Sequence, residues 1–190
     1  MAFYEYFLGG GAISLDHKWV RGVFPGRNIG AHYDVVYMGA GTTSLYTMWS
    51  ALGDVTLDMG PLAFCPGSHK IQKLKETYGA ADAHQDLKGG TFSDDPHDVM
   101  DTLGLRWAST PFNAGDVVIF GMYFMHAAIQ NASNRFRLSC DTRYQLASEP
   151  VDKRHMGEDP DIIPKANMED RKSVEELRKE WGLAAESVET

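Results

Sequence analysis

Hydrophobic residues in this chain gather in short runs of strand length, cut by glycine and proline, with little of the three-to-four spacing of helices. Residues 18–24 read as a strand between Gly9-Gly10-Gly11 and the turn Pro25-Gly26. Residues 31–38 and 45–52 have strand length and are broken by Gly39, Gly41 and Gly53, and residues 61–65 form a further short run. After the turn at Asn113 to Asp116, residues 117–125 make a continuous apolar strand, and a second turn at 130–134 leads into residues 135–145.

Helical text falls in two places. Within 71–110, residues 71–78 predict a short helix stopped by Gly79, and Asp94-Asp95-Pro96 caps another over 96–103, so this stretch reads as a long excursion from a sheet. Past Glu149 the chain is charged and proline-punctuated until a last helix over 173–181, where Ser173 and Glu176 have capping-box spacing and Gly182 ends it. Several strands, one excursion and a helical tail predict a single, mainly β domain over 1–190: a sandwich or jelly roll over about 17–150, with 151–190 as a charged tail. A parallel α/β fold is the alternative.

At 190 residues, 43% hydrophobic and 23% charged, the chain has globular composition, which excludes collagen-like, coiled-coil and wholly disordered classes. Eighteen Lys and Arg against 26 Asp and Glu leave a net charge of -8, a sign that repels nucleic acid. Cys65 and Cys140 form no CxxC pair and read as two free thiols of a reducing compartment. No apolar run approaches the roughly 20 residues that span a bilayer, and the start lacks a signal-peptide pattern, so a cytoplasmic protein without a membrane partner is expected.

In His32-Tyr-Asp34 an imidazole and a carboxylate lie two apart in strand-like text, which puts both on one face; a polar surface pair explains the pattern as well. His126, at the end of the apolar run 117–125, is the candidate third ligand. Two imidazoles and one carboxylate with open positions suit non-haem iron(II) and a chelating co-substrate. Arg137, eleven residues on, would hold a carboxylate by paired hydrogen bonds. Against that, Arg135, Arg137, Asp141 and Arg143 share one strand parity while Phe136, Leu138 and Cys140 share the other, which by itself says solvent face.

Together, His32-Tyr-Asp34, Trp49-Ser-Ala-Leu52, Gly60-Pro-Leu62, Pro66-Gly-Ser-His69-Lys70, Gly115-Asp116, and His126 with Asn131 and Arg137 resemble the phytanoyl-CoA dioxygenase family across about 17–150. The resemblance implies a double-stranded β-helix, the jelly-roll or cupin-like barrel, with a few helices packed outside. It implies Fe(2+) and 2-oxoglutarate as cofactors, and molecular oxygen with a small organic molecule as substrates. His32, Asp34 and His126 would bind iron, and Arg137 the distal carboxylate of 2-oxoglutarate. Thr47 would help hold that carboxylate, and Trp49 shares its strand face. Tyr37 would lie near the pocket, Ser68 and His69 would serve the turn, and His17, His84, His97 and His155 would be solvated. Helices against the outward face would bury Phe136, Leu138 and Cys140 while Arg137 points inward, and the 71–110 excursion would shield the reaction.

A carboxylate at Asp34 implies hydroxylation rather than halogenation, in which chloride takes that place. The rivals are a cupin-like divalent-metal isomerase or hydrolase on the same three residues, and a non-catalytic jelly-roll binding module. The region before His32 is shorter than the family's usual N-terminal buttress. A naturally short member, a truncated sequence or a completing partner subunit would each account for it; separately, a homo-oligomer stays open as a partner.

Overall fold

The computed structural model describes residues 1–157 and 171–183. Two antiparallel sheets face each other. The larger runs in the order β2 (Trp19–Val23), β9 (Arg137–Leu146), β4 (Tyr46–Ala51), β7 (Val117–Gly121), with the short β1 (Ala12–Ser14) also paired to β9. The smaller runs β3 (Ile29–His32), β8 (His126–Ala128), β5 (Leu62–Phe64), β6 (Ala108–Ser109). From β2 to β5 and again from β6 to β9, successive strands alternate between the sheets, the winding of a jelly roll.

The central strand β9 has the alternation seen in the sequence, but with the polar parity inward. Arg137, Ser139, Asp141, Arg143 and Gln145 are buried, while Leu138 is 48% exposed. The space between the sheets is therefore lined with charge. The apolar parity does not bury against helices as expected: Phe136 is 57% exposed. The helix outside this sheet, α1 (Ala2–Leu8), covers its other end, where Tyr4 stacks on Tyr144 at 3.6 Å and Phe7 meets Tyr46 edge-on.

Two strand boundaries differ from the sequence pattern, and both matter for the site. The run 31–38 is not one strand: β3 stops at His32 and the chain turns into α2 (Val35–Met38), with Asp34 already in helical geometry at φ -64, ψ -30. The run 117–125 is not one strand either. β7 ends at Gly121, the chain crosses between sheets, and His126 opens β8 rather than closing β7. β-Branched and aromatic composition signals extended backbone but cannot say where a chain leaves one sheet for the other.

The excursion is anchored in two ways. It contributes α3 (Gln72–Glu76) and α4 (Pro96–Leu103); Gly79 lies in a 3-10 turn after α3, and Asp95 caps α4 by accepting from His97 N–H at 2.8 Å. The tail helix α5 (Val174–Trp181) keeps its capping box and lies against the excursion. Its Arg178 donates to both carboxylate oxygens of Asp98, at 2.5 and 2.6 Å, and stacks on Phe92. The proline-punctuated part of the tail, 158–170, lies outside the described residues. No helix among the described residues is long and apolar enough to cross a membrane, and both cysteines are free thiols.

Candidate metal centre

His32 and His126 are direct partners across the β3–β8 ladder, their rings 4.2 Å apart between centroids. Each ring is oriented the same way. The Nδ1 of His32 lies 2.8 Å from the Gly30 carbonyl, and that of His126 lies 2.9 Å from the Phe124 carbonyl. A carbonyl only accepts, so both Nδ1 atoms carry the proton and both Nε2 lone pairs are left for a metal.

The Asp34 carboxylate faces them because the turn after β3 swings it over, not because it shares a strand face with His32. Its Oδ1 lies 3.8 Å from Nε2 of His32 and 3.7 Å from Nε2 of His126. The three residues are buried, and their ligand atoms all lie within 4.8 Å of one another. Burial, with the neighbouring His126, pushes the His32 imidazole down to about 3, so it is neutral and competent to bind metal at neutral pH. Its contact with Asp34 is therefore a spacing of donors, not an ion pair.

The second oxygen of Asp34 is held on the other side. Oδ2 accepts from Thr47 Oγ1 at 2.5 Å and lies 3.4 Å from Nη2 of Arg143. Burial alone would raise this carboxyl, but the buried Arg143 guanidinium, with the Thr47 hydroxyl donating to Oδ2, outweighs it and holds it well below the usual carboxylate range. With Oδ2 engaged, Oδ1 is the oxygen left to a cation. The chemistry of the donor set, two imidazole nitrogens and one carboxylate oxygen, fits a divalent transition metal.

A serine in the Pro-Gly-Ser-His turn supports this geometry. Ser68 is fully buried, its Oγ accepts from Met125 N–H at 2.9 Å, and its carbonyl accepts from Tyr33 OH at 2.7 Å. The turn thus fixes the residues on the chain side of both His126 and Asp34.

The phytanoyl-CoA dioxygenase (PhyH) family profile matches residues 19–139. The chain belongs to that family. The match holds every strand from β2 to the start of β9, with His32, Asp34, His126 and Arg137 inside it. No curated protein sequence matches the chain.

Among solved structures, the epimerase SnoN from nogalamycin biosynthesis, complexed with Fe3+, alpha ketoglutarate and nogalamycin RO, has a TM-score of 0.58 at 21% identity over 79% of this chain and 56% of its own. The alpha ketoglutarate dependent carbocyclase SnoK gives 0.55 at 20% over 78% and 55%. EvdO2 from Micromonospora carbonacea var. aurantiaca, complexed with 2-oxoglutarate, gives 0.52 at 17% over 82% and 63%. This chain spans less than two thirds of each of them. At such identity the likeness is one of fold, and the fold is the family's double-stranded β-helix.

In this member of the family Arg137 is 1% exposed, and its Nε and Nη1 have no partner among the described residues. Burial pushes its guanidinium down to about 10, so it stays cationic at neutral pH. Trp49, 5.7 Å away, also has a buried indole N–H without a partner. The cavity they share with His32 and His126 encloses about 20 Å³. Tyr37 meets His32 edge-on at 5.6 Å.

Thr47 is placed differently from expectation. It pairs with Arg143 in the β4–β9 ladder, whereas Arg137 lies six residues further along β9, so the hydroxyl serves Asp34 and not the region of Arg137. His155 is also buried rather than solvated, with Nε2 3.3 Å from the Tyr37 carbonyl.

Three residues of the site escaped sequence reasoning. Arg143 is 1% exposed and stacks on Trp19 at 4.1 Å. Asp141 is buried, and Arg21 donates to it at 2.7 Å. For Asp141 and Arg143 the parity shared with Arg137 along β9 was the available signal, since once one of that set faces inward all do; Arg21, on β2, gave no such signal.

Proposed function

We propose that this chain is an iron(II)- and 2-oxoglutarate-dependent oxygenase that hydroxylates a C–H bond of a small organic substrate with molecular oxygen. His32, Asp34 and His126 hold the metal through two Nε2 atoms and Oδ1. Arg137, with the Trp49 N–H nearby, receives the distal carboxylate of 2-oxoglutarate. When bound, iron(II) with 2-oxoglutarate and oxygen supplies the oxidising power needed to attack an unactivated C–H bond.

The observation that carries this reading is a cavity that two imidazoles of the three-donor set, His32 and His126, share with the buried Arg137, whose Nε and Nη1 lack a hydrogen-bond partner among the described residues. An unsatisfied buried donor costs about 1–3 kcal/mol, more when charged, and two on one arginine call for an anionic ligand. A metal hydrolase or a vestigial binding module has no need of that cation. The cavity of about 20 Å³ has room for a water molecule. A five-carbon dicarboxylate therefore enters by displacing side chains, Trp49 and Phe120 being the large ones that line it. Around the metal the chain's own work is to keep the His32 imidazole neutral, aim both Nε2 atoms inward, present one carboxylate oxygen and exclude bulk water.

Anaerobic addition of Fe(II) and 2-oxoglutarate is expected to produce a visible charge-transfer band that disappears in His126→Ala and Arg137→Ala. No band in the native protein refutes the assignment. The fold relatives SnoN and SnoK are an epimerase and a carbocyclase. Oxidation without hydroxyl transfer is therefore the second reading, and 18O2 incorporation into product separates the two.

A further inference from the structure

Beside the metal centre the chain passes from the larger sheet to the smaller one, and between β2 and β3 it leaves a gap of about 410 Å³ lined by residues 21–24 and 27–29. The gap shares Arg21 and Ile29 with the cavity that holds His32, His126 and Arg137, so the two spaces are neighbours. In a chain of net charge -8 its lining carries two arginines and no acid.

Both cations have donors to spare. Arg21 points inward from β2 and commits Nε to Asp141, while its terminal nitrogens make no hydrogen bond among the described residues. The exposed Arg27 side chain has no hydrogen bond or ion pair among them either. The turn carrying Arg27 is fixed by the fully buried Asn131. Its Nδ2 donates to the Val23 carbonyl at 2.9 Å, its backbone N–H donates to the Arg27 carbonyl at 2.8 Å, and its own carbonyl accepts from Gly26 N–H at 2.7 Å.

Charge arithmetic points the same way. The interior sets Arg21, Arg137 and Arg143 against Asp34 and Asp141, a surplus of one positive charge. A divalent metal and a dianionic co-substrate cancel each other and leave that surplus in place, with Arg27 at the rim adding a second.

We propose that this gap binds the anionic end of the organic substrate, a carboxylate whose apolar body lies against Val23, Phe24 and Ile29. The inference rests on the oxygenase reading and adds the substrate class to it. Arg21 and Arg27 would act as a cationic rim, with guanidinium forks matched to a carboxylate.

The test is calorimetric titration of protein loaded with Mn(II) and saturating 2-oxoglutarate, using butyrate, 4-phenylbutyrate and octanoate, each against its own amide. At least one acid is expected to bind about tenfold more tightly than its amide, as for a charge-assisted hydrogen bond. That preference should vanish in Arg27→Gln, weaken in Arg21→Gln and survive in Arg135→Gln, which alters an exposed arginine outside the gap. Acids and amides binding alike in all three pairs, or a preference that outlasts both Arg27→Gln and Arg21→Gln, overturns the proposal. Failure of Mn(II) or 2-oxoglutarate to bind in the same instrument is a distinct result that overturns the oxygenase reading and this inference with it.

Discussion

Replacing Arg143 with methionine tests the electrostatics of the metal centre. The side chain is 1% exposed and lies 3.4 Å from Asp34 Oδ2 and 3.8 Å from Asp141 Oδ2. Removing one partner of a buried pair costs about 3–5 kcal/mol because the other charge is left uncompensated. Here the low end applies, since Thr47 still donates to Asp34 and Arg21 still pairs with Asp141. Methionine retains contact with Trp19, so the change is mainly one of charge. A loss of about 3 kcal/mol in the metal-free protein corresponds to a Tm lower by roughly 6–12 °C for a chain of this size. A bound divalent metal supplies the missing positive charge beside Asp34, so the metal-loaded variant loses less. By linkage, the variant binds Mn(II) more tightly, by about tenfold for each 1.4 kcal/mol of difference. Thermal melts with and without Mn(II), plus direct titration, read both effects. Equal destabilisation of the two forms, or unchanged metal affinity, refutes the charge argument and leaves Arg143 as packing on Trp19.

Other outcomes follow from the same geometry. Ser68→Ala removes the acceptor of Met125 N–H in a fully buried turn and is expected to cost about 1–3 kcal/mol in chemical denaturation; an unchanged midpoint contradicts the bracing role. His32 has a folded value of about 3, below its ordinary 6.5, so the unfolded chain binds the extra proton as pH falls through 6.5. Stability from this group is full above pH 6.5 and drops by about 2 kcal/mol between pH 7 and 5. His32→Gln removes that share, and denaturation curves of equal pH slope for both proteins contradict it.

The individual donors were legible because their chemistry is local. His32, Asp34, His126 and Arg137 stand out by residue type, spacing and order, and α5 announces itself by Ser173, Glu176 and Gly182, which act within one helical turn. From alternation alone, what β9 does with its charges was not legible; the family resemblance is what turned Arg137 inward. Alternation sorts Arg137, Asp141 and Arg143 from Leu138 and Cys140 but is symmetric between the two faces, and the usual rule that polar means outward chose the wrong one.

The sequence by itself determined the strand-rich class and the ends of α4 and α5, which depend on residues within a few positions of one another, and it offered His32, Asp34 and His126 as candidate metal donors by residue type and order. The tertiary structure alone decided that His32 faces His126 across a ladder, that a turn rather than strand parity delivers Asp34, and that Thr47 and Arg143 hold its outer oxygen. Those contacts join residues 13 to 109 positions apart, and only the pairing of sheets, set by burial summed over the whole chain, brings them together.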